Sequence, residues 1–376
     1  VHINTTEGLW TGTRNFLRPF PVLADVAPGG DHAQDRRVQS HGGRSRDAFD
    51  FGQRSDNLSS TRLLHLGLVG QNPAERGQYA QVFSPAPAEY ILTLNKYLRR
   101  YENIVVVGGC NTDFVFDVAQ FPAPGETVAC KSFNTFGGGK GANQAVAAAR
   151  LGANVTLIAR VGNDDRGHSA FRFFQSEGIQ TDYMAFDDDL ATGLAMIAVN
   201  AKGENTIVVS QGANARLSPQ DIYNAETVFR TAKVVLLQLE VPIVTVMATV
   251  EIAHQHGATV ILNPAPAVAL PAELLSKVDY LTPNETELVI LSGNNPNVDV
   301  DEAAFELKKT AGTQHVIVTL GPRGALIADQ PKQIIPAYPV NAIDTTAAGD
   351  AFNGGLAVSL AQGKQLVDSV RYANAV

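Results

Sequence analysis

The chain has 376 residues, 45% hydrophobic and 18% charged, enough apolar material for one large or two medium cores and too much for a wholly disordered polymer. Two cysteines, Cys110 and Cys130, with no CxxC pair and no Cys/His ligand spacing, exclude a disulfide scaffold or zinc module and fit a reducing cytoplasm. No run of 18 apolar residues occurs, so no membrane span is expected, and a formal charge of −8 excludes a general nucleic-acid binder, which needs a basic face.

The charge is unevenly spread: residues 1–100 carry 12 basic and 9 acidic side chains, and the remainder 17 and 28. The first hundred residues lack a sustained period of 2 or 3.6, and 28–60 is rich in Gly, Arg, Asp, Ser and Gln, so 1–100 is expected to be a non-native or poorly ordered extension. Its opening run, 1–20, resembles the end of the catalytic domain of DDE-type insertion-sequence transposases, with Glu7 where that family has a metal-binding acid. One carboxylate cannot hold two metals, so the run is read as a relic. The chain opens on Val1 and its methionines are Met184, Met196 and Met247, which suggests a fragment or a fused reading frame.

From 104 onward, short β-branched runs alternate with amphipathic or Ala-rich segments, the pattern of a largely parallel sheet flanked by helices. Strands are expected at 104–107, 155–160, 234–239, 259–262, 280–281 and 316–320. Helices are expected at 141–151, 167–177, 243–256 and 303–310, with Gly152, Gly178, Gly257 and Gly312 placed to stop them. A second pattern interrupts the first: 113–119, 127–136, 194–199 and 206–210 read as strands, with a turn at 200–205. Four strands inserted between α/β units predict a small separate sheet, suited to act as a lid.

Four motifs carry chemistry. Gly108-Gly-Cys-Asn-Thr-Asp113 follows the first strand, where open α/β sheets place ligands, and offers an amide and a carboxylate to hydroxyl groups; an ordinary βα turn explains it equally well. Cys110 within it is either reactive or a small buried apolar residue. Phe136-Gly-Gly-Gly-Lys-Gly-Ala-Asn143 opens a helix, and its glycines let backbone N–H groups approach a ligand while Lys140 and Asn143 add donors. It is not a Walker A loop, because Gly141 follows Lys140. Thr282-Pro-Asn-Glu-Thr-Glu287 reads as helix capping or as a water-mediated Mg²⁺ site. In Asp344-Thr-Thr-Ala-Ala-Gly-Asp-Ala-Phe-Asn-Gly-Gly355, small Ala347, Ala348 and Gly349 let successive amides converge on an anion at a helix start, with Asp350 beside them to take a proton from an attacking hydroxyl.

Together with Phe121-Pro-Ala-Pro-Gly-Glu-Thr127, Leu237-Gln-Leu-Glu240, Asn263-Pro-Ala-Pro266 and Thr319-Leu-Gly321, the last three motifs resemble, in family order, the ribokinase-like (pfkB) sugar kinases from about 104 to 376. The resemblance implies a Rossmann-like three-layer α/β/α domain with a small β-sheet lid over 101–376, and ATP-dependent phosphorylation of the 5-hydroxyl of D-ribose. It implies sugar contacts at Asn111, Asp113, Gly138, Gly139, Lys140, Asn143 and Glu240, with Asp350 as base. Asn284, Thr319, Gly321, Gly324 and Asn374 match the nucleotide region, Glu287 the Mg²⁺ region, and Asp344 and Thr346 a K⁺ loop. A cytoplasmic homodimer paired through the lid sheets is implied as well. Against the family pattern the chain stops inside the helix after Gly363, which implies a truncated kinase domain with an exposed sheet edge and apolar face. Another sugar or nucleoside kinase of the family, or a non-catalytic sugar-binding relative, is the alternative.

Overall fold

The computed structural model describes residues 102–293, 299–340 and 345–376, so the expectations for 1–100 and for Asp344 lie outside the described residues. The strands are β1 (Asn103–Val107), β2 (Asn111–Val118), β3 (Cys130–Gly138), β4 (Asn154–Gly162), β5 (Met184–Asp187), β6 (Gly193–Val199), β7 (Asn205–Ser210), β8 (Val234–Leu237), β9 (Thr259–Leu262), β10 (Tyr280–Leu281), β11 (His315–Thr319), β12 (Ala325–Ile327) and β13 (Gln333–Ile335). The helices are α1 (Lys140–Arg150), α2 (Asp165–Ser176), α3 (Pro219–Asn224), α4 (Glu226–Phe229), α5 (Ile243–Gln255), α6 (Ala272–Leu275), α7 (Glu285–Leu291), α8 (Val300–Ala311), α9 (Ala348–Ala361) and α10 (Leu366–Ala373).

Nine strands form one sheet in the order β13-β12-β11-β10-β9-β8-β1-β4-β5. It is parallel from β11 to β5, and β12 and β13 add an antiparallel edge. Chain order runs one way from β1 to β5 and the other way from β8 to β13. The direction therefore reverses between β1 and β8, and the carboxyl ends of those strands flank the crevice where such sheets bind ligands.

Alternation along β1 shows why both faces are covered. Ile104 and Val106 join the apolar layer containing Ala142, Phe174 and Leu356, whereas Val105 and Val107 join the layer containing Phe229, Val246 and Leu307. Fully buried Phe174 and Phe229 anchor the two layers, each contributing about 1.5–3 kcal/mol by leaving water. Small residues bring α1 and α9 together: a methyl on Gly354 would stand 2.7 Å from the Ala147 Cβ. That close approach sets Asp350, in the first turn of α9, against the first turn of α1.

The second sheet, β3-β2-β6-β7, is the expected lid, but two of its strands start two or three residues away from the sequence reading. β2 begins at Asn111, so the first motif is not a βα turn; the chain passes from the main sheet into the lid through Gly108 and Gly109. β3 begins at Cys130 rather than 127, because the Pro- and Gly-containing stretch before it has no regular structure. Among the described residues no helix is long and apolar enough to cross a membrane.

Candidate active site

Every motif lies at one edge of the main sheet because every parallel strand ends there. Gly108 and Gly109 follow β1, Glu240 follows β8, Asn263 follows β9, and Thr282 follows β10. Two helices, α1 and α9, begin over the same edge.

Gly139 is the N-cap of α1 at φ 93, a conformation open to glycine, and a side chain there would strike the Gly109 carbonyl and the Asn111 amide. The turn delivers the Lys140 amide to Glu240, donating to Oε2 at 2.7 Å. At Gly138 a Cβ would stand 2.1 Å from Asp113 Oδ2, so only glycine leaves that carboxylate its place. Asp350 is buried, accepting from Asn143 Nδ2 on Oδ2 and from Gln144 Nε2 on Oδ1, both at 3.0 Å. Asn111, Asp113, Gly138, Gly139, Lys140, Asn143, Glu240 and Asp350 are thus brought into one cluster, as the sequence motifs require.

The electrostatics is that of several carboxylates around one ammonium group. Withdrawal from water and the charge of Asp350 push Asp113 up to about 6, against the lowering effect of Lys140. Burial pushes Glu240 up to about 7, opposed by the Lys140 amide and ammonium. Glu287 and Asp350 are raised by burial too, and Lys140 pulls both back. Asp113 and Glu240, held this close to neutrality, can exchange protons near pH 7. Cys110 resolves as the buried reading: its thiol is pushed up to about 12 by burial and by Glu240 and Asp113, and is therefore unreactive.

At the α9 start, Ala347 is the N-cap at φ 60, the one non-glycine residue with positive φ among those described. Such a conformation costs on the order of 1–3 kcal/mol and is held where a site demands it. The Ala348 amide donates to Thr345 O at 3.2 Å, so the first-turn amides of Gly349 and Asp350 are the ones presented at the helix end. Of the three residues expected to form the anion hole, 347–349, the Ala348 amide is thus already paired.

Farther along the edge, Asn284 and Glu287 form a reciprocal capping box, each side chain accepting the other's amide at 2.8 Å. The capping explanation is correct for both residues, and Glu287 also feels Lys140 and Asp350, so it faces the same cluster. Thr319 bridges to Asn284, and Gly321 and Gly324 shape the hairpin that follows β11. A side chain on Gly324, at φ 99, would meet the Ile335 carbonyl at 2.0 Å. Asn374 donates its side-chain amide to the Ile335 and Pro336 carbonyls at 2.9 and 3.2 Å, which clamps it to the end of β13. Among the described residues no group of three or more His, Cys, Asp or Glu forms a metal cage. One half-buried carboxylate, Glu287, suits Mg²⁺ carried largely by waters and phosphate. Of the two K⁺ positions, only Thr346 is described, in the turn before Ala347.

Sequence reasoning missed a set of buried amides. Asn214, after β7, accepts from the Cys110 amide at 2.9 Å and donates to Asn111 Oδ1 at 2.7 Å. Gln144, Gln238, Asn263, Thr282 and Asn353 form a second buried network. Their signal was only that of polar residues beside motifs.

A three-layer α/β domain with a lid, a glycine-bordered cluster of amide and carboxyl side chains and a buried acid at a helix start fits a phosphotransferase of small alcohols. The match to the pfkB family of carbohydrate kinases covers residues 101–376, and the chain belongs to that family. It is 43% identical over 277 residues to a ribokinase of Staphylococcus aureus (strain COL), covering 72% of this chain and 90% of that one. It is 40% identical over 255 residues to a deoxyribokinase of Salmonella typhi, covering 67% and 83%. The structure of Arabidopsis thaliana ribokinase complexed with ribose and ATP is similar at a TM-score of 0.66 and 31% identity, covering 73% and 90%.

Proposed function

We propose that this chain transfers the γ-phosphoryl group of ATP to the 5-hydroxyl of D-ribose, giving ribose 5-phosphate and ADP. The observation that carries the reading is Asp350, a buried carboxylate at the start of α9, fastened by two amides of the helix that the glycine loop opens. Asn111, Asp113, Asn143 and Glu240 offer the mixed donors and acceptors that a polyhydroxyl ligand needs. Asp350 accepts the proton of the attacking hydroxyl while the oxygen–phosphorus bond forms and the bond to the leaving ADP breaks. The amides of Gly349 and Asp350 face the charge of the transferred group, and Lys140 balances the carboxylates around it. Phosphoryl transfer asks for this positioning and charge stabilisation rather than covalent help. The nucleotide end falls to Asn284, Thr319, Gly321 and Gly324, beyond the sugar along the same sheet edge.

Mg²⁺, held through Glu287 by way of water, would neutralise charge on the phosphates, and K⁺ beside Thr346 and Asp344 would steady the loop before α9. The lid supports pairing with a second copy. Phe114, Phe116, Phe133, Met196 and Val208 share the face turned away from Asp113, and Val208 is 64% exposed. We read residues 101–376 as the kinase domain.

The test is ADP release by the full chain with ribose, 2-deoxyribose, fructose and adenosine in turn. Ribose is expected to give the highest kcat/KM. A preference for 2-deoxyribose would move the assignment to the deoxyribokinase branch, and turnover with none of the sugars would overturn it.

A further inference from the structure

The buried amide network behind Asp350 has only one consistent orientation, and that orientation has a catalytic consequence. It is anchored on two backbone carbonyls, which can only accept. Asn263 Nδ2 donates to Thr282 O at 3.0 Å, so Asn263 Oδ1 is an acceptor. Gln144 Nε2 donates to that oxygen at 3.2 Å and to Asp350 Oδ1 at 3.0 Å, which uses both of its protons. Gln144 Oε1 then accepts from Gln238 Nε2 at 2.6 Å. At the other anchor, Asn353 Nδ2 donates to Gly349 O at 2.8 Å, and Asn353 Oδ1 accepts from Thr282 Oγ1 at 2.7 Å. The atom left over is Gln238 Oε1, buried without a partner at the end remote from Asp350. Turning Gln144 over would set three acceptor oxygens against one another with no proton between them, so the network holds its amino group toward Asp350.

We propose that Gln144 is a positioning residue for phosphoryl transfer: its amino group holds Oδ1 of Asp350, as Asn143 holds Oδ2, and so fixes the carboxylate that takes the proton of the sugar hydroxyl. Through Thr282 and Asn353 the same network fixes the Gly349 carbonyl, and with it the first turn of α9. Base and anion-binding turn are thus set by one unit that spans the ends of β8, β9 and β10. The inference rests on the proposed kinase reaction, and Gln144 enters it through its hydrogen bonds to Asn263, Asp350 and Gln238.

Asp350 is faced by Asp113 from β2, by Lys140 and Asn143 from α1, by Glu240 after β8 and by Glu287 from α7. A carboxyl in place of the Gln144 amide would add one more acid in contact with Asp350. In Gln144→Glu, of nearly equal shape, the two carboxyls share one proton. When that proton sits on residue 144 it restores one of the amide's two donations, the one to Asp350, and leaves Asn263 Oδ1 without its donor; when it is lost, two negative charges meet and Asp350 is displaced. The variant is therefore expected to gain a basic limb, losing kcat as pH rises through the shared ionisation, where the parent does not.

The experiment compares the full chain with Gln144→Glu and Gln144→Leu. It measures kcat and the ribose KM from about pH 5.5 to 9, with thermal melting as the check on folding. Expected are a kcat about 10- to 100-fold lower in both variants, a ribose KM within about threefold of the parent, and the new basic limb in Gln144→Glu alone. A pH profile of Gln144→Glu superimposable on the parent's, or a folded Gln144→Leu with kcat within twofold, overturns the inference. So does a joint change in KM and kcat with no change of profile, which would mark a merely structural role. A parent without ribose-dependent turnover removes the proposed function, and this inference with it.

Discussion

The Lys140 backbone amide is hydrogen-bonded to the Glu240 carboxylate at 2.7 Å, which ties the first residue of α1 to the chain leaving β8 across the point where strand order reverses. The bond fixes the glycine loop to the main sheet, so the lysine side chain starts from a rigid base. From there its charge reaches Asp113, Glu240, Glu287 and Asp350 together.

Removing that charge should raise all four carboxyls further, since Lys140 lowers each of them. Lys140→Met is expected to lower kcat at pH 7 by about tenfold or more, with the acid limb of the profile moved to higher pH than the parent's. The check is a pH–rate profile with saturating ribose and ATP; an acid limb unmoved from the parent's contradicts the shared-cation account.

The raised carboxyls also predict how the ligand-free fold responds to pH. An acid whose folded pKa lies above its unfolded value gives stability that is present below the unfolded pKa and lost as pH rises through the folded one. For Asp113, held at about 6, and Glu240, held at about 7, that window runs from about pH 4 to 7. Urea unfolding of the ligand-free chain should lose about 2–4 kcal/mol between pH 5 and 7. Asp113→Asn should flatten part of the slope. Stability that stays level over the same interval would show that these carboxyls are ionised throughout and contradict the raised values.

Asn214 sets the orientation of Asn111. The Cys110 amide can only donate, so Asn214 Oδ1 accepts it, Asn214 Nδ2 donates, and Asn111 Oδ1 is taken. In the proposed reaction Asn111 then has its amino group to offer to the sugar. Asn214→Ala frees Asn111 to turn and is expected to raise the ribose KM about tenfold, with a smaller effect on kcat, as befits the loss of roughly one well-placed hydrogen bond. Isothermal titration with ribose measures the same loss directly; unchanged affinity would refute the orienting role.

Val208 and Phe133 lie on the outward lid face and are 64% and 51% exposed. A charge placed there opposes burial against a second apolar face. Val208→Glu is expected to convert a dimer to a monomer in sedimentation velocity while its melting temperature stays near the parent's. A parent that sediments as a monomer at micromolar concentration would remove the lid-pairing proposal.

The legible parts of this molecule are those whose meaning is local. β1, with alternate residues in two apolar layers, and the glycine run before Lys140 each state their role within ten residues. The lid was legible as an interruption of the α/β rhythm. The strands β5, β12 and β13 were not foreseen, being three or four residues long and without a period to detect. Nor was the network of Gln144, Asn263, Thr282 and Asn353, whose partners lie 19 to 206 residues apart in the chain. Spacing cannot reveal a bond that only strand order creates. The 282–287 segment was ambiguous in the sequence because Asn284 and Glu287 both cap a helix and face the cluster, so neither reading excluded the other.

The most direct test of the central claim is the ³¹P spectrum of the product formed by the full chain from ATP and D-ribose, run beside Asp350→Asn. The account predicts a new phosphomonoester signal split by two protons, as phosphate on the 5-carbon requires, and a rate of its appearance lower by about 10²–10⁴-fold in the variant while ribose affinity is kept. A signal split by a single proton, or a variant that makes product at the parent's rate, would contradict it.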